Sequence, residues 1–338
     1  MGLSKIDLKV LRFALENGMQ MPDAEIAAAL RLKPSTVSYS IKKMRRERTI
    51  LRYRYRLNYH RLGFPAVAWV LLRFKSSLLG ASSTDSIATE SLDKLLSFPQ
   101  VHVASFLTGP HDVALKLIDR DVVAINKFVL HISSELKDML ESPLVLFSTR
   151  MYKTHNVVLE RTTPCAKLTA KDFEILSYKM LKPDAELREI AEKLSLHRNT
   201  VSNRWQMLWR ENVLFKKTPV VNPVVYDELG IGLKAIVFLD VAADQLHNAV
   251  SALVKIPAVH ELNQLLSGYD LMAIVRVKNV PGFFDLMKQI YAKPGVRKTV
   301  SHIILYSKPH SPNYLHEMSK AGMLPFKLAC KKANEQRN

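Results

Sequence analysis

Cysteine is scarce in this sequence, and its two copies, Cys165 and Cys330, form no C-x-x-C pair. Two such distant cysteines offer no disulfide framework, which is typical of a protein from a reducing compartment. Long hydrophobic runs are also lacking, since the longest, residues 64 to 72, is too short to span a bilayer. The opening residues MGLSKIDLK contain no apolar signal region. We therefore expect a cytoplasmic protein without a membrane segment.

Motifs that carry common enzyme chemistry are missing as well. The sequence has no H-E-x-x-H or C-x-x-C metal-ligand spacing and no phosphate-binding glycine loop. His111 beside Asp112 is a lone histidine. These absences favour a protein that is not an enzyme and that needs no metal or cofactor.

Acidic residues are outnumbered, with 31 Asp and Glu against 49 Lys and Arg and a net charge of +18. Residues 31 to 61 contain eleven basic residues and one acid, Glu47, whereas residues 195 to 225 contain five and Glu211. A focused basic excess is typical of proteins that bind polyanions such as DNA. The alternative is a solvated basic surface that only maintains solubility.

The sequence repeats itself. The recurring groups are Glu25-Ile26-Ala27 with Glu189-Ile190-Ala191, Thr36-Val37-Ser38 with Thr200-Val201-Ser202, and Leu62-Gly63 with Leu229-Gly230. This pattern predicts a tandem duplication of units of about 160 residues each.

Each unit begins with three short amphipathic helices. In the first unit the apolar stripes are Ile6 to Leu15, Ile26 to Leu30 and Val37 to Met44. The helical pattern restarts three or four residues after the second helix ends, which is helix-turn-helix spacing. In the stretch Leu51 to Leu57 that follows, arginine and tyrosine alternate, and this predicts a strand with a basic face resembling a wing.

The rest of each unit predicts the order strand, helix, strand, strand, helix, strand, an antiparallel sheet with both helices on one face. The predicted ranges are Phe64 to Phe74, Ile87 to Leu96, Val101 to Leu107, Val113 to Ile118, Val122 to Leu136 and Leu144 to Met151 in the first unit, and Leu233 to Val241, Asp244 to Val254, Val259 to Leu266, Leu271 to Val277, Val280 to Tyr291 and Lys298 to Tyr306 in the second.

The predicted fold class is therefore α+β, with two winged helix-turn-helix domains alternating with two ferredoxin-like βαββαβ domains. The two effector sheets are expected to pack face to face as an internal pseudo-dimer. The predicted domains are 1–60 and 168–226 for DNA binding and 61–152 and 227–310 for effector binding and dimerisation, with a linker at 153–167 and a basic C-terminal tail at 311–338.

The third helix of each cluster and the basic stretch that follows it supply the predicted contacts to double-stranded DNA. Short polar side chains near its start reach base edges in the major groove, and basic side chains further along hold phosphates. The predicted contact residues of the first unit are Ser35, Thr36, Ser38, Tyr39, Lys42, Lys43, Arg45, Arg46, Arg52 and Arg54. Those of the second are Arg198, Asn199, Thr200, Ser202, Asn203, Arg204, Lys216 and Lys217. The alternative is that these clusters are protein-binding or dimerisation modules.

These features resemble the Lrp/AsnC, or feast/famine, family of prokaryotic transcription regulators. The matching elements are LSKIDLKVL at residues 3 to 11, both T-V-S triplets, both Leu-Gly pairs and TGPHD at residues 108 to 112. The resemblance implies transcriptional regulation, sheet-to-sheet dimers of effector domains and self-association. It also implies an amino-acid effector near Thr108, Gly109, Asp112, Gly268 and Asp270. The alternative for these residues is a hairpin turn that needs glycine and a capping aspartate.

The sequence also departs from the family pattern. Arg31 and Ser195 stand in the turn between the second and third helices, and Lys33 and His197 replace the usual serine cap, so both third helices are expected to lack a preferred N-cap. Two linked but diverged heads predict an asymmetric DNA site.

Two other functions fit parts of this sequence. A sequence-indifferent architectural DNA protein would use the same charge. Siroheme decarboxylases combine a helix-turn-helix with the same ferredoxin-like domain, but we find no His, Tyr and Arg cluster at corresponding effector-domain positions in both copies.

Overall fold

The computed structural model describes residues 2–75, 93–159, 166–312 and 314–324. Its helices are α1 (Lys5–Asn17), α2 (Asp23–Leu30), α3 (Pro34–Arg46), α4 (Val122–Glu135), α5 (Ala170–Leu181), α6 (Leu187–Leu194), α7 (Arg198–Arg210), α8 (Tyr226–Leu229), α9 (Leu246–Leu253), α10 (Val280–Tyr291) and α11 (Tyr314–Lys320). Its strands are β1 (Ile50–Leu57), β2 (Ala66–Leu72), β3 (Val101–Leu107), β4 (Val113–Asp119), β5 (Leu144–Thr154), β6 (Val157–Val158), β7 (Leu214–Val221), β8 (Leu233–Val241), β9 (Val259–Leu265), β10 (Leu271–Val277) and β11 (Val296–Pro309).

Helices α1 to α3 form a cluster around apolar side chains that recur every three or four residues, including the buried Leu11, Ile26 and Val37. Ser4 and Asp7 form a capping box at the start of α1, and such a cap stabilises a helix by about 1 kcal/mol. Helices α5 to α7 repeat this arrangement with a capping box at Thr169. The result is a mixed α/β fold with one three-helix cluster at the start of each copy.

The turns of the two clusters differ from the expectation in one respect. Arg31 and Ser195 end α2 and α6 with φ values of 53° and 54°, in the left-handed region. Lys33 makes no side-chain cap on α3, as predicted. The ring Nδ1 of His197, however, accepts a hydrogen bond from the backbone N–H of Asn199 at 3.3 Å, so the expected loss of a cap is wrong for α7.

The sheet is a closed ring of antiparallel pairings among the described strands. The order is β2, β4, β3, β11, β8, β10, β9 and β5, and β5 pairs again with β2. The long strands β11 and β5 each pair with strands of both copies. Because the ring is closed, each of its described strands is paired on both sides and neither copy has an unpaired sheet edge within the ring. The sheet is consistent with ferredoxin-like units, and the sequence did not predict their joining at the edges.

Two cores lie outside the ring and one lies inside it. Helix α4 covers one part of the outer face, packing Ile125 and Phe128 on β4, and helices α9 and α10 cover another. The interior core combines side chains of both copies, such as Trp69 and Phe238. Because successive strand residues point to opposite faces, each strand supplies both kinds of core.

Strands β1 and β7 pair with each other as a separate antiparallel ribbon. The ribbon joins the two three-helix clusters, with Tyr55 opposite Lys217 and Arg56 opposite Lys216. The sequence predicted two separate wings. The pairing is a long-range interaction that local periodicity does not encode.

Most predicted element ranges agree with the structure. Strands β3, β8 and β10 and helix α10 have the predicted bounds, whereas β5 and β11 extend beyond them because they cross between the copies. The predicted helix Ile87 to Leu96 lies mainly outside the described residues, and residues 93 to 96 are helical. Part of the predicted C-terminal tail is helix α11, which buries Tyr314 and Met318 against the α5 cluster. Within the described part of the chain, no helix combines the length and apolarity that crossing a bilayer requires.

Candidate DNA-contacting helices and a basic cavity

Helix α3 presents a basic polar face to solvent. Val37, Ser40, Ile41 and Met44 are buried in the cluster, and the other residues of the helix form its outer face. Ser35, Tyr39, Lys42, Arg45 and Arg46 are exposed, and Thr36, Ser38 and Lys43 are half-buried. The Tyr39 side chain is 65% exposed, which is unusual for a large aromatic residue unless it has a partner.

Lys43 is tied to helix α1. Its Nζ donates to Asp7 Oδ2 at 2.8 Å, and Ser40 Oγ donates to Asp7 Oδ1 at 2.5 Å. Burial of the Asp7 carboxyl opposes ionisation, but the hydrogen bonds from Lys43, Ser40 and Ser4 outweigh it and lower the pKa of Asp7 to about 2. Lys43 can therefore reach a phosphate only if this ion pair breaks.

Helix α7 presents a smaller polar face. Arg198, Asn199 and Asn203 are exposed, and Thr200, Ser202 and Arg204 are half-buried. Arg204 donates to the fully buried Asp172 at 2.9 Å, so it occupies the structural position that Ser40 holds in the first copy. This placement departs from the base-reading role that the sequence suggested for Arg204.

The strand residues predicted to hold phosphates lie in unequal positions. Arg52 is exposed and Arg54 is half-buried. Lys216 is only 2% exposed and donates to the backbone carbonyl of Glu16 at 2.7 Å, so the structure corrects its predicted role as a phosphate contact. Lys217 pairs with the Asp184 carboxylate at 3.0 Å.

An exposed ion pair connects the two helical clusters. Arg45 donates to the second carboxylate oxygen of Asp184 at 3.0 Å, and the same carboxylate holds Lys217. Exposed pairs of this kind contribute about 0 to 1 kcal/mol. Breaking the Arg45–Asp184 pair so that Arg45 can contact DNA therefore costs little free energy.

The aspartates of the two predicted effector loops brace strand connections. Asp112 Oδ2 accepts a hydrogen bond from the backbone N–H of Phe74 at 2.7 Å. Asp270 Oδ2 accepts one from the backbone N–H of Val241, also at 2.7 Å. The two copies therefore use their aspartates in the same structural way.

The other residues of these loops have structural roles too. Thr108 Oγ1 accepts a hydrogen bond from the backbone N–H of Ile303 at 3.1 Å. Gly109 and Gly268 have φ values of 105° and 83°, a region that favours glycine. These contacts match the hairpin-turn alternative for the loop.

A basic cavity of about 800 Å³ lies between the β1–β7 ribbon and one end of the strand ring. In the described part of the chain, nine Lys and Arg side chains line it, against the two carboxylates of Glu16 and Glu261. These cations include Arg52, Arg54 and Arg56 of β1, Lys216 of β7, Lys234 of β8 and Arg276 of β10. Glu261 is engaged, because it accepts from Lys116 Nζ at 2.6 Å in a buried ion pair.

Three histidines also line this cavity, namely His102, His155 and His260. Burial followed by the nearby charge of Arg276 lowers the pKa of His260 to about 3, and burial holds the pKa of the other two well below 6.5. All three imidazoles are therefore neutral near pH 7 and can accept a hydrogen bond or bind a metal. No group of three metal-ligating side chains occurs among residues 2–75, 93–159, 166–312 and 314–324.

Sequence reasoning missed the cavity, although a signal for it existed. Lys116, Lys234 and Arg276 interrupt strands that are otherwise almost wholly apolar. A charge at such a position needs a partner or a polar cavity. Which charges meet, however, depends on strand register between distant segments.

The comparisons with known sequences point to one family. The Lrp/AsnC ligand binding domain model matches residues 234–313. The HTH-type transcriptional regulator FL11 of Pyrococcus abyssi (strain GE5 / Orsay) is 31% identical over 129 residues, which are 38% of this chain and 83% of that protein. The FL11 protein of Pyrococcus furiosus is 30% identical over 119 residues, or 35% of this chain and 77% of its own length. A chain more than twice as long as its relatives is consistent with tandem duplication.

The fold also resembles that of a solved structure over nearly the whole chain. The siroheme decarboxylase NirDL, in co-complex with an iron-uroporphyrin III analogue, superposes with a TM-score of 0.60 and covers 92% of this chain and 97% of that one. The two sequences are 15% identical, so the likeness concerns the fold alone.

Proposed function

The chain belongs to the Lrp/AsnC family of transcriptional regulators, and from this membership we propose that it binds DNA sequence-specifically through two diverged heads. The heads are winged helix-turn-helix domains at residues 1–60 and 168–226. They alternate with ferredoxin-like effector domains at 61–152 and 227–310, which form an internal pseudo-dimer. The protein acts in the cytoplasm on the nucleoid, and its effector domains support self-association.

The exposed face of α3 carries this proposal. Thr36 and Tyr39 lie near the start of the helix, where side chains reach base edges, and Lys42 and Arg46 lie one and two turns further along. Lys42 and Arg46 have no ion-pair partner among the described side chains, so their charges are free for phosphates. Phosphate contacts position a head, and base contacts select the sequence.

The two heads are unequal. Helix α7 offers Asn199, Asn203 and Arg198 at its exposed start, and Asn and Arg make bidentate contacts with adenine and guanine. It carries Gln206 at the position of Lys42 and therefore has fewer cations for phosphates. The first head accordingly supplies most of the affinity, while the second supplies sequence discrimination.

The β1–β7 ribbon links the two heads. Because β1 and β7 are hydrogen-bonded to each other, the two recognition helices keep a fixed relative orientation. A covalent link also raises the effective concentration of the second head at its half-site. The expected operator is therefore asymmetric, with two unlike half-sites about one helical turn, or a multiple of it, apart.

Selection from a pool of random duplexes, repeated at several salt concentrations, tests this function. We expect a motif with two unlike half-sites and a specific affinity at least about a thousandfold above that for random DNA. Equal recovery of all sequences with a steep salt dependence would instead identify an architectural DNA-binding protein.

A siroheme-decarboxylase-like activity is a second candidate, and the basic cavity is the observation that favours it. NirDL shares the fold, and its co-complex contains an iron-uroporphyrin III analogue. Arg and Lys side chains suit the carboxylates of such a tetrapyrrole, and neutral histidines suit its iron. Spectral titration with iron-uroporphyrin III is the test: a shifted Soret band is expected for a bound macrocycle, and an unchanged band excludes this activity.

A further inference from the structure

The cavity between the ribbon and the strand ring is built from side chains that strand alternation directs inward. On β10, Met272 and Ile274 contribute to the interior core, and Arg276 continues the same face into the cavity. On β8, Phe238 and Ile236 belong to that core, and Lys234 continues it. One end of the interior is therefore apolar and the end beneath the ribbon is cationic.

Several of these cations have only neutral partners in the described part of the chain. Arg56 Nε donates to Thr218 Oγ1 at 3.1 Å, and Lys234 Nζ donates to Ser307 Oγ at 3.4 Å. The Arg276 guanidinium lies 5.8 Å from the ring centroid of Tyr226. Among the described residues, no carboxylate forms an ion pair with any of these three cations.

The surrounding protein removes these charges from bulk water. Burial, reinforced by the charges of Arg54 and Arg276, lowers the pKa of Arg56 to about 9. Burial and the Arg276 charge lower the pKa of Lys234 to about 7. A cluster of desolvated like charges is unfavourable, and an anion placed among them would relieve both the desolvation and the mutual repulsion.

The size and wall of the cavity limit what that anion can be. A volume of about 800 Å³ lies within the range of small-molecule sites and is far too small for a DNA duplex. The single carboxylate of an amino acid can contact only some of the cavity cations, which include Arg52, Arg54, Arg56, Lys216, Lys234 and Arg276. Trp69, Ile274 and Ile304 form an apolar part of the wall, which suits a ligand with a carbon or aromatic body.

We propose that this cavity binds a small molecule that carries three or more acidic oxygen groups, either carboxylates or phosphates. Guanidinium groups of Arg54, Arg56 and Arg276 bind such groups in a bidentate manner. The inference uses the same cavity as the siroheme-decarboxylase-like candidate, but it requires neither that activity nor DNA binding. The ligand contacts the ribbon through β1 and the ring through β8 and β10, so it braces the ribbon that holds both heads.

Titration calorimetry on the full chain, at a pH below the pKa of Lys234, tests the proposal with three probes. Mellitate carries six carboxylates on a benzene ring, inositol hexakisphosphate carries six phosphates, and benzoate carries a single carboxylate. We expect at least one of the first two to bind with a stoichiometry of one per chain, and benzoate to show no detectable binding. Binding of mellitate alone assigns carboxylates, and binding of the hexakisphosphate alone assigns phosphates.

Variants locate the site. Arg56→Met and Lys234→Met each remove one cavity cation while keeping an unbranched apolar stem, and each is expected to weaken binding of the multivalent probe by about tenfold. Lys255→Met and Arg297→Met make the same change in charge at exposed positions and should leave binding unchanged. Thermal unfolding serves as the folding check, and we expect no loss of stability in the cavity variants because each removes a desolvated charge.

Three results would overturn the proposal. One is the absence of binding by both multivalent probes. Another is benzoate binding as tightly as mellitate. The third is an equal loss of affinity in the cavity variants and the surface controls, which would show general charge attraction. None of these outcomes bears on DNA selection, so the two proposals can fail separately.

Discussion

Replacement of Lys42 and Arg46 by alanine is expected to weaken binding to the selected operator by roughly a hundredfold and to reduce the slope of log affinity against log salt by about two. Both side chains are exposed on α3 and have no acidic partner among the described residues. Each therefore removes one phosphate contact without leaving a buried charge behind. Electrophoretic mobility shifts at several salt concentrations measure both quantities.

The second head provides the matched comparison. Arg210 holds the position of Arg46, and Arg198 is exposed at the start of α7. The Arg198→Ala and Arg210→Ala pair removes the same charge, but we expect a smaller loss of affinity and a weaker preference at one half-site. If this pair weakens binding more than the α3 pair does, the first head is not the main source of affinity. Lys255→Ala with Arg297→Ala controls for net charge.

The second large effect concerns the buried carboxylate of Glu261. Its oxygen accepts from Lys116 Nζ at 2.6 Å and from Asn263 Nδ2 at 3.0 Å, and it is one of two acids that line the cavity. Glu261→Gln leaves Lys116 buried and unpaired among other cations. We expect a loss of roughly 3–5 kcal/mol in the free energy of unfolding, measured by urea denaturation.

Two further variants separate charge from packing. Lys116→Met is expected to cost less, because the remaining Glu261 carboxylate still interacts favourably with the nearby Lys234 ammonium. The double variant Lys116→Met with Glu261→Leu removes both charges and should regain most of the lost stability. If the double variant is as unstable as Glu261→Gln, lost packing and not the unpaired charge causes the loss of stability. If Lys116→Met and Glu261→Gln lose equal stability, the expected difference between the two single variants is contradicted.

Local patterns in the sequence predicted most helices and strands correctly. Apolar stripes with helical spacing located α1 to α3 and α5 to α7, and apolar runs located β3, β8 and β10 with their observed bounds. These patterns succeed because helix and strand periodicities depend on neighbouring residues. The repeated motifs, such as Thr36 to Ser38 and Thr200 to Ser202, also disclosed the duplication. The order of the motifs indicated a resemblance to the Lrp/AsnC family.

Which basic side chains are free to contact DNA depends on tertiary contacts that local patterns do not show. Lys42 and Lys43 are adjacent and identical in the sequence, yet Lys42 is exposed while Lys43 is paired with Asp7. Lys216 and Lys217 are also adjacent and identical, but Lys216 is buried and Lys217 is paired with Asp184. Ion pairing of this kind joins residues that lie tens of residues apart, and local pattern carries no information about it.

Local sequence patterns also could not predict the basic cavity. Lys234 and Arg276 lie opposite each other on the paired strands β8 and β10, whereas Arg56 belongs to the distant strand β1 of the ribbon, and all three line one cavity only in the folded chain. The alternation of arginine and tyrosine in β1 correctly predicted which side chains share a face. What that face meets was set by strand register between the two copies, because hydrogen bonding between strands depends on the whole chain being folded.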